Sequence, residues 1–200
     1  MTVKRLLLQM RFWLYLGRGD KRAAYAKKKG LFSEIGQGVK LPATVPLYPQ
    51  MVKVHNNVIM HRSVKMVTHD FVNRFLNRVS DSYRFQHGEM LTPIEIMDNV
   101  YIGMNVVIFG NVRIGPNAVI QAGSVVINDV PPNSVVAGVP AKVVGKFDML
   151  MKTRILMDKV TKYSFQRSGQ ERINTDAVEA AWDAFEKKKN RLVCKGNEPT

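Results

Sequence analysis

The sequence predicts an all-β solenoid with one extruded loop and an α-helical segment at each end. Three observations predict it. A six-residue period runs from Ile96 to Pro131. The period breaks over residues 71–93 and then resumes in frame. Both flanks space their apolar residues as helices do, three and four apart.

The elements follow in chain order. Residues 1–30 read as a basic amphipathic helical arm. Lys4, Arg11 and Arg18 stand seven apart on one face, with Leu6, Leu7, Met10, Trp13 and Leu14 elsewhere. Residues 31–146 form the solenoid. Ile35/Val39 and Leu41/Val45 fit its period, and Val54/Val58 and Met60/Val64 fit after a one-residue slip between Leu47 and Val54. Met66 restarts the frame just before Thr68-His69-Asp70. Residues 71–93 read as a loop, because Ile96 stands five periods after Met66. Residues 147–200 form a helical extension. Its clearest stripe is Val178, Ala181, Trp182 and Phe185, capped by Thr175 or Asp176, with Lys187-Lys188-Lys189 near its C-terminal end.

The central units are the strongest signal. Their first positions are Ile96, Ile102, Ile108, Ile114, Ile120 and Val126. Their fifth positions are Val100, Val106, Val112, Ala118, Ser124 and Val130. The third and fourth positions are mostly turn residues: Asn, Asp, Gly or Pro. A helix repeats near ~3.6 residues and a lone strand at ~2. A period of six therefore means a short strand, a corner and another short strand. Three units close one triangular coil of 18 residues. Stacked coils bring the first-position aliphatics into one continuous interior. Asn99, Asn105, Asn111 and Asn117 recur at the corners, where a short polar side chain tolerates tight backbone geometry.

Charge is uneven. The 200 residues carry 30 Lys and Arg against 16 Asp and Glu, a net +14. Nine of those basic residues and a single acid, Asp20, lie in residues 1–30. The solenoid holds ten basic and seven acidic residues. The excess is an N-terminal appendage, not a nucleic-acid footprint spread over the chain. Three readings of the arm stand open: a cap on the solenoid, a peripheral contact with an anionic membrane, or nucleic-acid binding. The cap reading leads, and nucleic acid is set aside because no recognition motif accompanies the charge. A single cysteine, Cys194, points to a reducing, cytoplasmic setting. Leu6 to Leu16 imitates a signal-peptide core, but Gln9 and Arg11 interrupt it.

At this point the sequence resembles the hexapeptide-repeat acyltransferases. The resemblance covers roughly residues 35–146. It is sharpest from Pro93-Ile-Glu-Ile-Met-Asp-Asn-Val-Tyr-Ile-Gly-Met-Asn-Val-Val-Ile108 to Val135-Val-Ala-Gly-Val-Pro-Ala-Lys-Val-Val144. The last stretch is similar to the family's terminal G-x-P-A-[KR]-V-[IV] signature. Among relatives, the sugar, galactoside and maltose O-acetyltransferases and those acting on surface polysaccharides lie nearest by motif. The resemblance implies a left-handed parallel β-helix, acetyl-CoA as donor, a small-molecule or saccharide hydroxyl as acceptor, and a homotrimer. It implies no metal cofactor.

The resemblance also implies site residues. The family's general base, a histidine at the start of the extruded loop, matches His69. An alcohol is a poor nucleophile at neutral pH, and an imidazole can take its proton as the oxygen attacks a thioester. The adjoining Asp70 is a candidate to orient the ring. Coenzyme A positions match Met104, Ala122, Ile127 and Lys142. Relatives often have a small or polar residue in place of Met104, and Thr or Ser in place of Ile127. Those departures leave backbone contacts as the expected hold. Lys142 is placed as a point charge for nucleotide phosphates. Within the loop, His87, Tyr83 and Arg84 are the candidate acceptor contacts.

Alternatives remain. His55 and His61 share one position in adjoining units, and with His87 they suggest a zinc lyase of the carbonic anhydrase type. A catalytic zinc needs three protein ligands, and no third falls in phase. An N-acetyltransferase, an antibiotic O-acetyltransferase and a non-catalytic scaffold use the same repeat.

Overall fold

The computed structural model describes residues 3–15, 18–79, 84–160 and 175–195. In chain order the first elements are helices α1 (Val3–Leu14) and α2 (Gly19–Lys28), then strand β1 (Glu34–Ile35). Strands β2 (Val52–Val54), β3 (Val58–Met60), β4 (Lys65–Met66) and β5 (His69–Asp70) follow. Helix α3 (Val72–Val79) and strand β6 (Met90–Leu91) come next. Then come β7 (Ile94–Ile96), β8 (Val100–Ile102), β9 (Val107–Ile108), β10 (Val112–Ile114), β11 (Ala118–Ile120) and β12 (Val125–Val126). The last elements are β13 (Ser134–Ala137), β14 (Lys142–Lys146), α4 (Phe147–Val160) and α5 (Thr175–Lys195). The chain divides into two compact units, Met1–Leu150 and Met151–Thr200.

The first unit is built on three mainly parallel sheets. One orders its strands β1-β2-β7-β10, the second β14-β13-β11-β8-β3, and the third β12-β9-β4. The chain visits the three in rotation and returns to each after 18 residues: Ile94↔Val112, Val100↔Ala118, Val107↔Val125. That register is the coil length the six-residue period requires. The slip read upstream is also present, since Glu34 pairs with Lys53, an offset of 19. Val58 pairs with Val100, an offset of 42, so one coil carries an excursion of 24 residues.

Every first- and fifth-position side chain of the six central units is buried. Burying an aliphatic side chain fully contributes about 1.5–3 kcal/mol. Ser124 is the polar exception. Its hydroxyl donates to Gln121 O at 2.7 Å and accepts from Gly138 N at 3.2 Å. The corners turn on asparagine: Asn57, Asn99, Asn105, Asn111, Asn117 and Asn133 have φ of 53–60°. Asn57 donates to Asn99 at 2.8 Å and Asn99 to Asn117 at 2.9 Å, a side-chain ladder across coils.

The N-terminal arm is two helices rather than one, so Arg18 does not continue the stripe of Lys4 and Arg11. Glycine supplies the reason. Gly19 packs so closely on the coil that a Cβ there would stand 2.9 Å from Lys40 Cβ. The arm caps the coils. Phe12, Ala23 and Ala26 join the buried core. Arg22 is buried and donates to Leu41 O at 3.0 Å and Tyr15 O at 2.6 Å. Burial lowers its pKa from the usual arginine value, aided by Arg62.

The excursion differs from the plain loop expected over residues 71–93. It begins and ends on an antiparallel pair, His69↔Leu91 and Asp70↔Met90, and contains α3. The missed signal was a helical stripe, Val72, Phe75, Leu76 and Val79. In the second unit, α5 begins at Thr175 and continues to Lys195, so Lys187–Lys189 lie within it rather than at its end. Trp182 and Phe185 meet edge to face at 5.8 Å. No helix of the described residues is long and apolar enough to cross a membrane.

Candidate active site

His69 stands where the coil gives way to the excursion. Met66 is the last core residue before it, and Val67 N still donates to Ile108 O at 2.8 Å. The chain returns beside it, since Thr92 N donates to Thr68 O at 3.0 Å. Gly110 lets this junction close. A Cβ there would stand 2.7 Å from the Thr92 carbonyl oxygen and overlap the Thr92 side chain.

Two aromatic rings hold the imidazole. Tyr48 meets it edge-on at 5.5 Å and Phe71 stacks on it at 5.5 Å, 28° from parallel. Nδ1 is buried and has no hydrogen-bond partner among the described residues. Two cavities share His69 as a wall. The larger, about 590 Å³, is lined mainly by apolar groups, among them Phe71, Phe75, Met90 and Phe109. The smaller, about 340 Å³, adds Arg74, Arg78 and Glu89. Glu89 accepts the Tyr48 hydroxyl at 2.6 Å and lies 3.9 Å from Arg74.

Asp70 borders the larger cavity, but its Oδ1 accepts Val72 N at 2.7 Å. That contact caps α3, as a short carboxylate at a helix start does. No hydrogen bond to His69 is present among the described residues.

The coenzyme A candidates cluster about the third sheet. Met104 and Ala122 occupy equivalent corners of successive coils, and Gly123 N donates to Met104 O at 2.8 Å. Phe109 N donates to Val126 O at 2.9 Å, next to Ile127. Ala141 N, beside Lys142, donates to Val125 O at 2.8 Å. Met104, Ala122, Ile127 and Lys142 are all exposed. Met104, Ala122 and Ile127 flank the strands of the third sheet, Lys142 opens β14 of the second, and Phe109, just after β9, lines the His69 cavity.

The acceptor candidates fare unevenly. His87 and Arg84 are exposed and line neither cavity. His87 contributes its backbone oxygen to Asn73. Tyr83 lies outside the described residues. Sequence reasoning missed Tyr48 and Phe109, and the helix that carries Phe75. Tyr48 had no signal, since its loop position is fixed only by folding. Phe75 belonged to the overlooked stripe.

The paired histidines separate. His55 Nε2 lies 3.1 Å from Glu95 Oε1, and Nδ1 lies 3.8 Å from Glu34. His61 Nδ1 lies 2.8 Å from the Ser63 hydroxyl. Among the described residues, no three His, Cys, Asp or Glu groups converge as metal ligands.

Comparison with known proteins adds the following. Residues 93–128 match the family described as bacterial transferase hexapeptide (six repeats). The chain is 43% identical over 94 residues to galactoside O-acetyltransferase of Escherichia coli (strain K12), covering 46% of this chain and 43% of that protein. It is 51% identical over 69 residues to 2,3,4,5-tetrahydropyridine-2,6-dicarboxylate N-acetyltransferase of Clostridium perfringens (strain SM101 / Type A), covering 34% and 29%. A solved maltose O-acetyltransferase from Clostridium difficile 630 superimposes with a TM-score of 0.52 at 26% identity, covering 72% of this chain and 84% of that one. The matches span less than half the length of the curated relatives.

Proposed function

We propose that this chain, which carries the transferase hexapeptide repeat and resembles the hexapeptide-repeat acetyltransferases, is an acetyl-CoA-dependent O-acetyltransferase. Its acceptor is a sugar or a precursor of a surface polysaccharide such as capsule or lipopolysaccharide. One observation carries the reading. A histidine held between two rings forms the shared wall of two cavities, and Phe109 at the end of a third-sheet strand lines the larger of them. The coils wind as a left-handed β-helix. Three copies assemble, as the family resemblance implies.

The residues present fit acetyl-CoA. Met104, Ala122 and Ile127 offer an exposed corner track for a pantetheine arm, and Lys142 a cation for phosphate. Acetyl-CoA supplies the thioester carbonyl. Nδ1 is enclosed, so His69 works through Nε2. That nitrogen accepts the acceptor hydroxyl's proton as the oxygen attacks, and returns it to the departing thiolate. The aromatic wall of the larger cavity suits the face of a sugar ring. Asp70 serves by capping α3 and so fixing the wall that bears Phe75.

The test is acetyl transfer from acetyl-CoA to a panel of sugars and nucleotide sugars, read as thiol release. His69→Ala lowers kcat about 10²–10⁴-fold and leaves thermal unfolding unchanged. Near-normal turnover in that variant rejects His69 as the base. The N-acetyltransferase similarity keeps a second reading in view, and transfer to amino-sugars but to no hydroxyl acceptor would select it.

A further inference from the structure

Helix α1 has two apolar sides, and among the described residues only one of them packs against the core. At about 100° per residue, Leu8, Gln9 and Phe12 share one side. Phe12 is fully buried, Leu8 packs against the core, and Gln9 donates to Ala43 O at 2.9 Å and accepts from Val45 N at 3.2 Å. Those contacts set the helix's rotation. Trp13, Leu6, Met10, Leu14 and Leu7 fall within about 120° on the opposite side. Each is 46–70% exposed. Phe12, the neighbouring aromatic, does not join this set, because it is buried in the core.

We propose that this outer face of α1 docks on the surface of an anionic lipid bilayer. The chemistry of such a contact is a Leu- and Trp-bearing face that enters the headgroup boundary, with basic residues that meet the headgroups. Arg11 on α1 and Arg18, Lys21, Lys27, Lys28 and Lys29 just after it are exposed. Asp20 is the only acid in the first 30 residues. That charge favours an anionic bilayer over a second copy, whose arm carries the same positive excess and repels it. It favours a bilayer over nucleic acid as well, because phosphate contacts give no partner to five exposed apolar side chains. The proposal does not rest on the acetyltransferase reading, and its test uses no activity.

The test is co-sedimentation of the full chain with vesicles of phosphatidylcholine alone or with about one-third phosphatidylglycerol, supported by Trp13 fluorescence in a Trp182→Phe background. The expected result is partitioning about tenfold or more stronger onto the anionic vesicles, a blue shift of Trp13, and weakening by added salt. Leu6→Glu with Met10→Glu lowers partitioning at least tenfold without changing thermal unfolding. Trp13→Ala is the milder second variant should that pair disturb folding, and it lowers partitioning severalfold. Equal binding to both vesicle types, or binding unaffected by these substitutions, overturns the proposal. So does sedimentation velocity in which the wild type self-associates and the Leu6/Met10 variant does not, which assigns the face to a second copy.

Discussion

The repeat from Ile94 to Val136 and the excursion from His69 to Thr92 both carry many apolar residues, yet those residues end in opposite places. In the repeat, each first- and fifth-position residue is enclosed. In the excursion, Phe71, Val72, Phe75, Leu76, Val79, Phe85, Met90 and Leu91 are all exposed. The repeat is the more apolar of the two, but period decides which apolar residues are enclosed. A residue that returns every 18 positions meets its equivalent in the coils above and below. A residue in the single excursion has no equivalent to meet. The repeat therefore makes the interior, and the interruption makes the wall around His69.

The largest effect expected from that contrast is on stability. Ile108 is fully buried between coils, whereas Phe75 is 63% exposed. Ile108→Ala costs about 2–5 kcal/mol, the usual range for emptying a packed aliphatic site. Phe75→Ala, although it removes a larger side chain, costs less than about 0.5 kcal/mol. Chemical denaturation of both variants decides the matter. The same Phe75→Ala protein should raise the acceptor KM, since Phe75 lines both cavities. An equal stability loss at the two sites would break the comparison.

The same contrast explains what could be read from the sequence. The coils were legible from Ile35 to Val130 because each unit repeats the same instruction, and even the slip before Val54 was visible as a phase change. His69 was legible because the break in period marks it. Tyr48, Phe109 and the cap on α3 by Asp70 were not. They depend on how one coil's edge meets the next, which no local period encodes. Phe12 shows the limit on the helical side. A stripe of leucines and aromatics looks uniform until one turn is claimed by the core.

A smaller effect tests the corners that keep the repeat in register. Asn99 has φ of 60°, and its side chain joins Asn57 and Asn117. Asn99→Ala puts a Cβ with no compensating polar group in the left-handed region and breaks two rungs, at about 1–2 kcal/mol. Asn99→Gly removes the same rungs but relaxes the backbone, and should cost less than the alanine variant. The difference between the two melting temperatures isolates the backbone contribution. Equal losses would mean that the ladder, not the turn geometry, sets the corner.

The smallest effect concerns the outward face of the first sheet, where Glu34, Lys53, Glu95 and Arg113 are successive register partners. Arg113 Nε donates to Glu95 Oε2 at 2.7 Å, and His55 lies 3.1 Å from the other oxygen. The hydrogen bond from Arg113, then that from His55, lowers the Glu95 pKa from its ordinary value. A lowered carboxylate pKa means that the unfolded chain binds the proton more readily than the folded one. The stabilisation is therefore complete above the unfolded-state pKa and is lost as pH falls through the lower folded-state pKa. Glu95→Gln should cost at most about 1 kcal/mol at neutral pH, given the partial exposure of the pair. The gap from wild type should close in acid below the ordinary carboxylate range. Urea midpoints of both proteins from neutral pH down to about pH 3 check the sign. A gap that widened in acid would show that the outer ladder holds the coils through something other than the Glu95 charge. A gap as large as that of Ile108→Ala would mean that the outside of the repeat matters to stability as much as its interior.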